Sequence, residues 1–148
     1  MSKEREIKEQ IDNYVEMFNS VCKQVSGHLL NKFPNNRNIH IYGDIVNDVM
    51  KKKPKEPISI FVRDIYSNDK YRDSILEGNE TFFRHNDHKD LTTKDESGSE
   101  VLFQFQSCWD DLNKESRNFI KEAMKTLINL CDVYIEQYDE LNKLKKKN

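Results

Sequence analysis

Alanine is almost missing from this chain: Ala123 is the only one among 148 residues. Alanine is the best helix former, so any helices here must be specified by apolar patterning and by caps. Cysteine is scarce too. Cys22, Cys108 and Cys131 are odd in number and far apart, which excludes a Cys-x-x-Cys pair and a disulfide framework. Two of them fall at apolar positions of predicted helices, where a free thiol behaves as a small hydrophobe. The four glycines are scattered singly, so there is no glycine-rich phosphate loop and no Gly-x-Ser-x-Gly turn. No apolar run approaches the roughly 20 residues of a membrane span. The opening Met-Ser-Lys-Glu-Arg-Glu carries charge where a secretory signal would be apolar. A basic excess is missing as well: the net charge is -2 and the isoelectric point about 6.1, unlike a dedicated nucleic-acid binder. These absences lead us to expect a soluble, intracellular protein with reduced thiols, no cofactor, no metal and no membrane partner.

What is present is helical periodicity. Ile120, Ala123, Leu127, Leu130 and Tyr134 recur at steps of three and four, and Met124, Ile128, Cys131 and Ile135 trace a second row beside them. Two adjacent rows make a wide apolar face that has to pack against other helices. The run begins near Trp109, breaks around Asn113 to Ser116, and continues to about Leu144. A first helix from near Ser2 to Lys32 carries Ile7, Ile11, Tyr14, Phe18, Val21, Val25 and Leu29, widened by Val15 and Cys22, and Phe33-Pro34 ends it. A short second helix has Tyr42, Ile45, Val46, Val49 and Met50 on one face, although the alternation of Ile39 and Ile41 also suits a brief strand. Pro57 opens a third helix with Ile58, Phe61, Val62 and Ile65. Asn68 or Asp69 caps a fourth with Tyr71 and Ile75, and Gly78 fits the left-handed residue after it. Phe82 and Phe83 should dock into the core. Residues 84–100 are charged and polar and predict a surface loop, after which Val101 to Leu112 predict a fifth helix.

The pattern is all-α: one domain over 1–148, a bundle of about five or six helices, with the long first and last helices as antiparallel neighbours. Leu, Ile, Val and Phe make up about a quarter of the chain, more than disordered sequences hold.

Convergent chemistry is hard to find. His85, Asp87, His88 and Asp90 offer nitrogen and oxygen ligands for zinc or another divalent ion, but their spacing matches no closed site and a solvated polar loop explains them better. Asp110 and Asp111 diverge on a helix and share no site. The thiols have no adjacent histidine. The expectation is therefore a non-enzymatic protein without a small-molecule substrate. Two lysine clusters stand out, Lys51, Lys52, Lys53 and Lys55, and then Lys143, Lys145, Lys146 and Lys147. Each reads as a solvated helix end or as a patch for nucleic acid or nuclear import, and convergence of the two would favour nucleic acid. The dense aromatics of the middle do not alternate with basic residues as a base-stacking platform would. Tyr138, Leu141 and Leu144, thinning out among lysines, are the candidate partner-facing end of the last helix, whether for another protein or for a second copy.

From Pro57 to Tyr138 the features follow a definite order. Pro57-Ile58-x-x-Phe61-Val62-x-x-Ile65-Tyr66 leads to Asn68-x-x-Tyr71-Arg72-x-x-Ile75 and Gly78-Asn79-Glu80-x-Phe82-Phe83. Phe105-x-x-x-Trp109-x-x-Leu112 follows, then Arg117, Ile120, Met124, Leu127, Leu130 and Tyr134. This order resembles small helical proteins of large nucleocytoplasmic double-stranded DNA viruses of algae and protists. A composition rich in Lys, Asn and Ile and poor in Ala, Gly and Pro implies an A/T-rich genome, which suits that lineage. The resemblance implies a viral interaction or structural protein, either a virion component or a factor acting in infected cells. It places the protein in host cytoplasm or the virus particle, with the nucleus as a further location, and carries no catalytic residue.

Overall fold

The computed structural model describes residues 2–83 and 104–147. Helix α1 spans Lys3–Lys32, α2 Arg37–Lys52, α3 Glu56–Phe61, α4 Asp69–Glu77, α5 Glu80–Phe83 and α6 Lys114–Lys147. A π-helical segment, Val62–Tyr66, prolongs α3, and a 3₁₀ segment, Gln104–Asp111, precedes α6. The chain is an all-α bundle with long helices at both ends, as its periodicity predicts.

Caps set the boundaries that alanine cannot. Ser2 Oγ accepts the Arg5 N–H at 3.2 Å, Asn36 Oδ1 accepts that of Ile39 at 3.2 Å, Asn68 Oδ1 that of Tyr71 at 3.2 Å, and Asn113 Oδ1 that of Ser116 at 2.8 Å. Each satisfies one of the backbone donors a helix start leaves over. At the other end of α4, Gly78 takes φ +69° and its N–H returns to Ile75. Replacing Asn68 with alanine is expected to cost about 1 kcal/mol, and Gly78→Ala about 1–2 kcal/mol for a Cβ in the left-handed region. Urea unfolding of the two variants checks both figures, and their sum should hold in the double variant only if the two ends of α4 act independently.

Helices α1 and α6 run antiparallel. His28, near the end of α1, meets Ser116 and Phe119 at the start of α6, while Cys22 neighbours Cys131 farther along. Between them lies one core. Ile7, Ile11, Val15, Phe18, Val25 and Leu29 of α1 are buried against both rows of α6, from Ile120 to Tyr134 and on to Leu141. Phe61 meets Phe18 edge-on, with ring centroids 5.4 Å apart. Every member of the two predicted rows is buried except Ile135, which packs partly exposed against the same core.

The isoleucines of α2 correct the sequence reading. Ile39 and Ile41 lie in a helix and not in a strand, because the Asn36 cap starts α2 just before them. The buried face is Ile39, Gly43, Val46 and Met50, whereas Ile41 and Ile45 are exposed. Gly43 sets this rotation. A Cβ there would stand 3.1 Å from Ser26 Oγ, so α2 approaches α1 through a residue without a side chain.

The segment before α6 is a second correction. Its described part, from Gln104, is 3₁₀ and not α-helical. Trp109 is 1 % exposed and stacks on Phe83 with centroids 4.9 Å apart, and its indole N–H donates to Glu80 Oε1 at 3.2 Å. The Arg117 guanidinium lies over the same indole, 5.4 Å from its centroid, and its Nε donates to the Trp109 carbonyl at 3.1 Å. Phe83 thus docks into the core as expected. The side chain of Phe82 and the predicted loop at 84–100, with Val101 to Phe103, lie outside the described residues.

Candidate functional site

A cleft of about 1130 Å³ opens between α1 and the end of α2 with its link to α3. One wall is the row Asp12, Glu16, Asn19 and Ser20 of α1, residues at helical steps of three and four that share a face. The opposite wall carries Lys51, Lys53 and Lys55, with Glu56 where α3 begins. Val15 and Met50, both nearly buried, floor it. At the base Asn19 Nδ2 donates to the Pro54 carbonyl at 2.9 Å and ties the two walls together. The amide orientation follows from that bond, because flipping it would set two acceptors face to face. Asn19 is 8 % exposed, and its Oδ1 accepts no hydrogen bond among the described residues.

Three of the four lysines in the first cluster therefore line one cleft. Lys52 turns away to Asp48, 3.2 Å from its carboxylate. Lys51 and Lys53 make no ion pair among the described residues, although Asp12 and Glu16 face them from α1. Lys55 reaches the other predicted site: its Nζ donates to the Tyr138 hydroxyl at 3.3 Å and stands 5.8 Å from that ring's centroid. Lys145 follows Tyr138 by seven residues, about 10 Å along the helix. Lys55 thus brings the first lysine cluster against α6 ahead of the second cluster. The clusters are interleaved with acids, as in the 3.9 Å pair of Lys143 with Glu140.

Of the expected partner-facing residues, Leu141 is corrected. Leu141 is 5 % exposed and belongs to the core, and Tyr138 and Leu144 pack against it partly buried. The reason is length. α1 has 30 residues and α6 has 34, so α6 outruns its neighbour by about one turn at most and leaves little free apolar overhang. The exposed large apolar residues among the described ones are instead Met17, Ile41, Ile45 and Leu76.

Sequence reasoning passed over Asp12, Glu16 and Asn19, whose charge or polarity looked like ordinary solvated helix surface. The signal was Asn19 itself, a polar residue between Phe18 and Ser20 and one turn from Val15, inside the arc that the apolar stripe defines.

The remaining groups do not converge on chemistry. Burial pushes the Cys22 and Cys131 thiols up to about 12 and Cys108 to about 11, so all three stay protonated and poorly nucleophilic near neutrality. His28 Nε2 and Ser116 Oγ are 2.8 Å apart, but Ser116 is 1 % exposed and out of reach of a substrate. Among the described residues no group of three or more His, Cys, Asp or Glu could hold a metal ion, and His85 to Asp90 lie outside them. No helix of the described residues is long and apolar enough to cross a membrane.

His28 does make the fold sensitive to pH. Its ring stacks on Phe119 at 4.7 Å, and burial, then the nearby Lys32, lower its pKa, with Glu115 opposing. The unfolded chain therefore takes up a proton more readily than the folded one. This contribution is complete above the ordinary histidine range near 6.5 and declines as pH falls through it. Urea midpoints measured between about pH 7.5 and pH 5 should fall on the acid side, and by less in His28→Gln than in the parent chain.

Comparison with protein-family models, with characterised proteins and with solved structures finds no match to this chain.

Proposed function

We propose that the chain is a non-enzymatic protein-interaction module whose cleft between α1 and the α2–α3 link receives a segment of a partner protein. The observation that carries this reading is the cleft's composition: an apolar floor between two charged walls whose lysines 51 and 53 remain without ion pairs among the described residues. Its volume of about 1130 Å³ exceeds the usual range of small-molecule pockets, about 300–1,000 Å³, and suits a peptide segment. A viral setting, as a virion component or as a factor in infected cells, follows from the A/T-rich composition and from the ordered features of residues 57–138.

The test is affinity purification of the tagged chain from its native context, with proteomics. A partner recovered with the parent chain should be lost with K51E/K53E and kept with Asn129→Glu on the exposed face of α6. Equal recovery by all three would overturn the reading. Lys51 and Lys53 are exposed, so their reversal should leave the thermal midpoint unchanged.

Association with nucleic acid is the second reading, favoured by the Lys55–Tyr138 contact that brings the first lysine cluster against the helix that carries the second. It expects a gel shift with a steep salt slope from released counterions, and no shift at about 50 mM salt removes it. The net charge of -2 and the interleaved acids place it second.

A further inference from the structure

The cleft is asymmetric in its hydrogen-bonding chemistry. On the α1 wall, Asp12 and Glu16 present two carboxylates one turn apart, with Asn19 and Ser20 beyond them and a single cation, Lys23, at the far end. On the other wall the three donors Lys51, Lys53 and Lys55 outnumber the one carboxylate, Glu56. The walls do not neutralise one another, for neither Asp12 nor Glu16 pairs with any of these lysines.

The shape selects a helix. The α1 wall from Asp12 to Lys23 spans eleven steps, about 16 Å or three turns. The cleft lies between two neighbouring helices, the place that a further helix occupies in a bundle by setting its side-chain ridge into their groove.

We infer that the cleft seats one amphipathic helix of a partner protein, with Lys or Arg on the edge facing Asp12, Glu16 and Asn19, and Asp or Glu on the edge facing Lys51, Lys53 and Lys55. The apolar stripe between those edges covers Val15 and Met50. A partner acidic on both edges meets Asp12 and Glu16 as like charges, and one basic on both edges meets the lysines in the same way. The inference rests on the proposed binding role of the cleft and adds the partner's chemistry to it.

Three labelled peptides of about eighteen residues, five turns each, test it against the full chain by fluorescence anisotropy. All share one leucine stripe. The first carries lysine on one edge and glutamate on the other, the second glutamate on both, the third lysine on both. The first is expected to bind about tenfold more tightly than either control, a 1.4 kcal/mol preference. In K51E/K53E both walls become acidic, and the lysine-edged peptide should become the tightest. Binding of all three within about twofold, a preference for the glutamate-edged peptide, or no binding at about 1 mM overturns the inference. The two readings fail separately. A native partner that still depends on Lys51 and Lys53 keeps the cleft as a binding site while the helix chemistry falls, whereas a partner indifferent to them removes the site as well.

Discussion

Replacing Trp109 with alanine should be the most damaging single truncation, costing about 3–5 kcal/mol. At roughly 2–4 °C per kcal/mol for a chain of this size, the thermal midpoint falls by about 10 °C. The large value has three sources. The indole is almost wholly buried, so its removal leaves a cavity between α5 and α6, whose Phe83 and Arg117 lie against it. Phe83 loses its stacking partner at 4.9 Å. Glu80, 3.2 Å from the indole nitrogen and 3.5 Å from Arg117, loses the donor that helps hold it. Glu80 and Trp109 stand on opposite sides of residues 84–103 in sequence, so the cluster fixes the chain on either side of that segment. Urea unfolding gives the number directly. A loss below about 1 kcal/mol, the centre of the distribution for point substitutions in general, would mean that Trp109 does not hold the two sides together.

Phe18→Ala should cost nearly as much, about 3–5 kcal/mol, for a different reason. Phe18 is fully buried and is where α1 meets the end of α3, its ring edge-on to Phe61 at 5.4 Å. An edge-on aromatic pair contributes about 0.5–1.5 kcal/mol beyond area burial, so a double-mutant cycle with Phe61→Leu should return a coupling of that size. Phe18 also precedes Asn19, whose amide ties α1 to Pro54. Its loss is therefore expected to loosen the cleft as well as the core, and peptide binding should weaken in Phe18→Leu before the fold is lost. A coupling near zero would place the two rings in separate packing units.

The long helices were legible in the sequence because their signal is repetitive. Nine residues in two rows specify the buried face of α6, so the pattern would stay readable even with one polar residue in a row. Boundaries were legible wherever chemistry marks them: Ser2, Asn68 and Gly78 sit at the cap positions their types predict. The rotation of α2 was not legible. Ile41 and Ile45 are as apolar as Ile39 and Val46, and the choice between the two faces is made by Gly43 against Ser26, a tertiary contact that periodicity cannot contain. The burial of Leu141 was misjudged for a similar reason. Leu141 among lysines looks exposed until α1 is laid beside it at nearly equal length. As for the cleft, its lysines were visible as a run, but the opposing wall comes from residues more than thirty positions earlier. Only the fold brings Asp12, Glu16 and Asn19 to face Lys51, Lys53 and Lys55.

The exposed aliphatic residues of α2 bear on self-association. Ile41 and Ile45 are two side chains on one outer face, and isolated exposed apolar residues are usual on monomers. The cleft, being concave, does not fill a second copy of itself, so a symmetric dimer built on it would enclose empty space. A partner with a convex helix is the better match.

Site-specific photo-crosslinking in the native context tests the central claim most directly. A benzophenone side chain is placed at Ser20, on the cleft wall, and separately at Asn129, exposed on α6 away from it. The account predicts a covalent adduct with one partner protein from Ser20, lost in the K51E/K53E background, and none with that partner from Asn129. Equal adducts from the two positions, or an adduct from Asn129 alone, would contradict it.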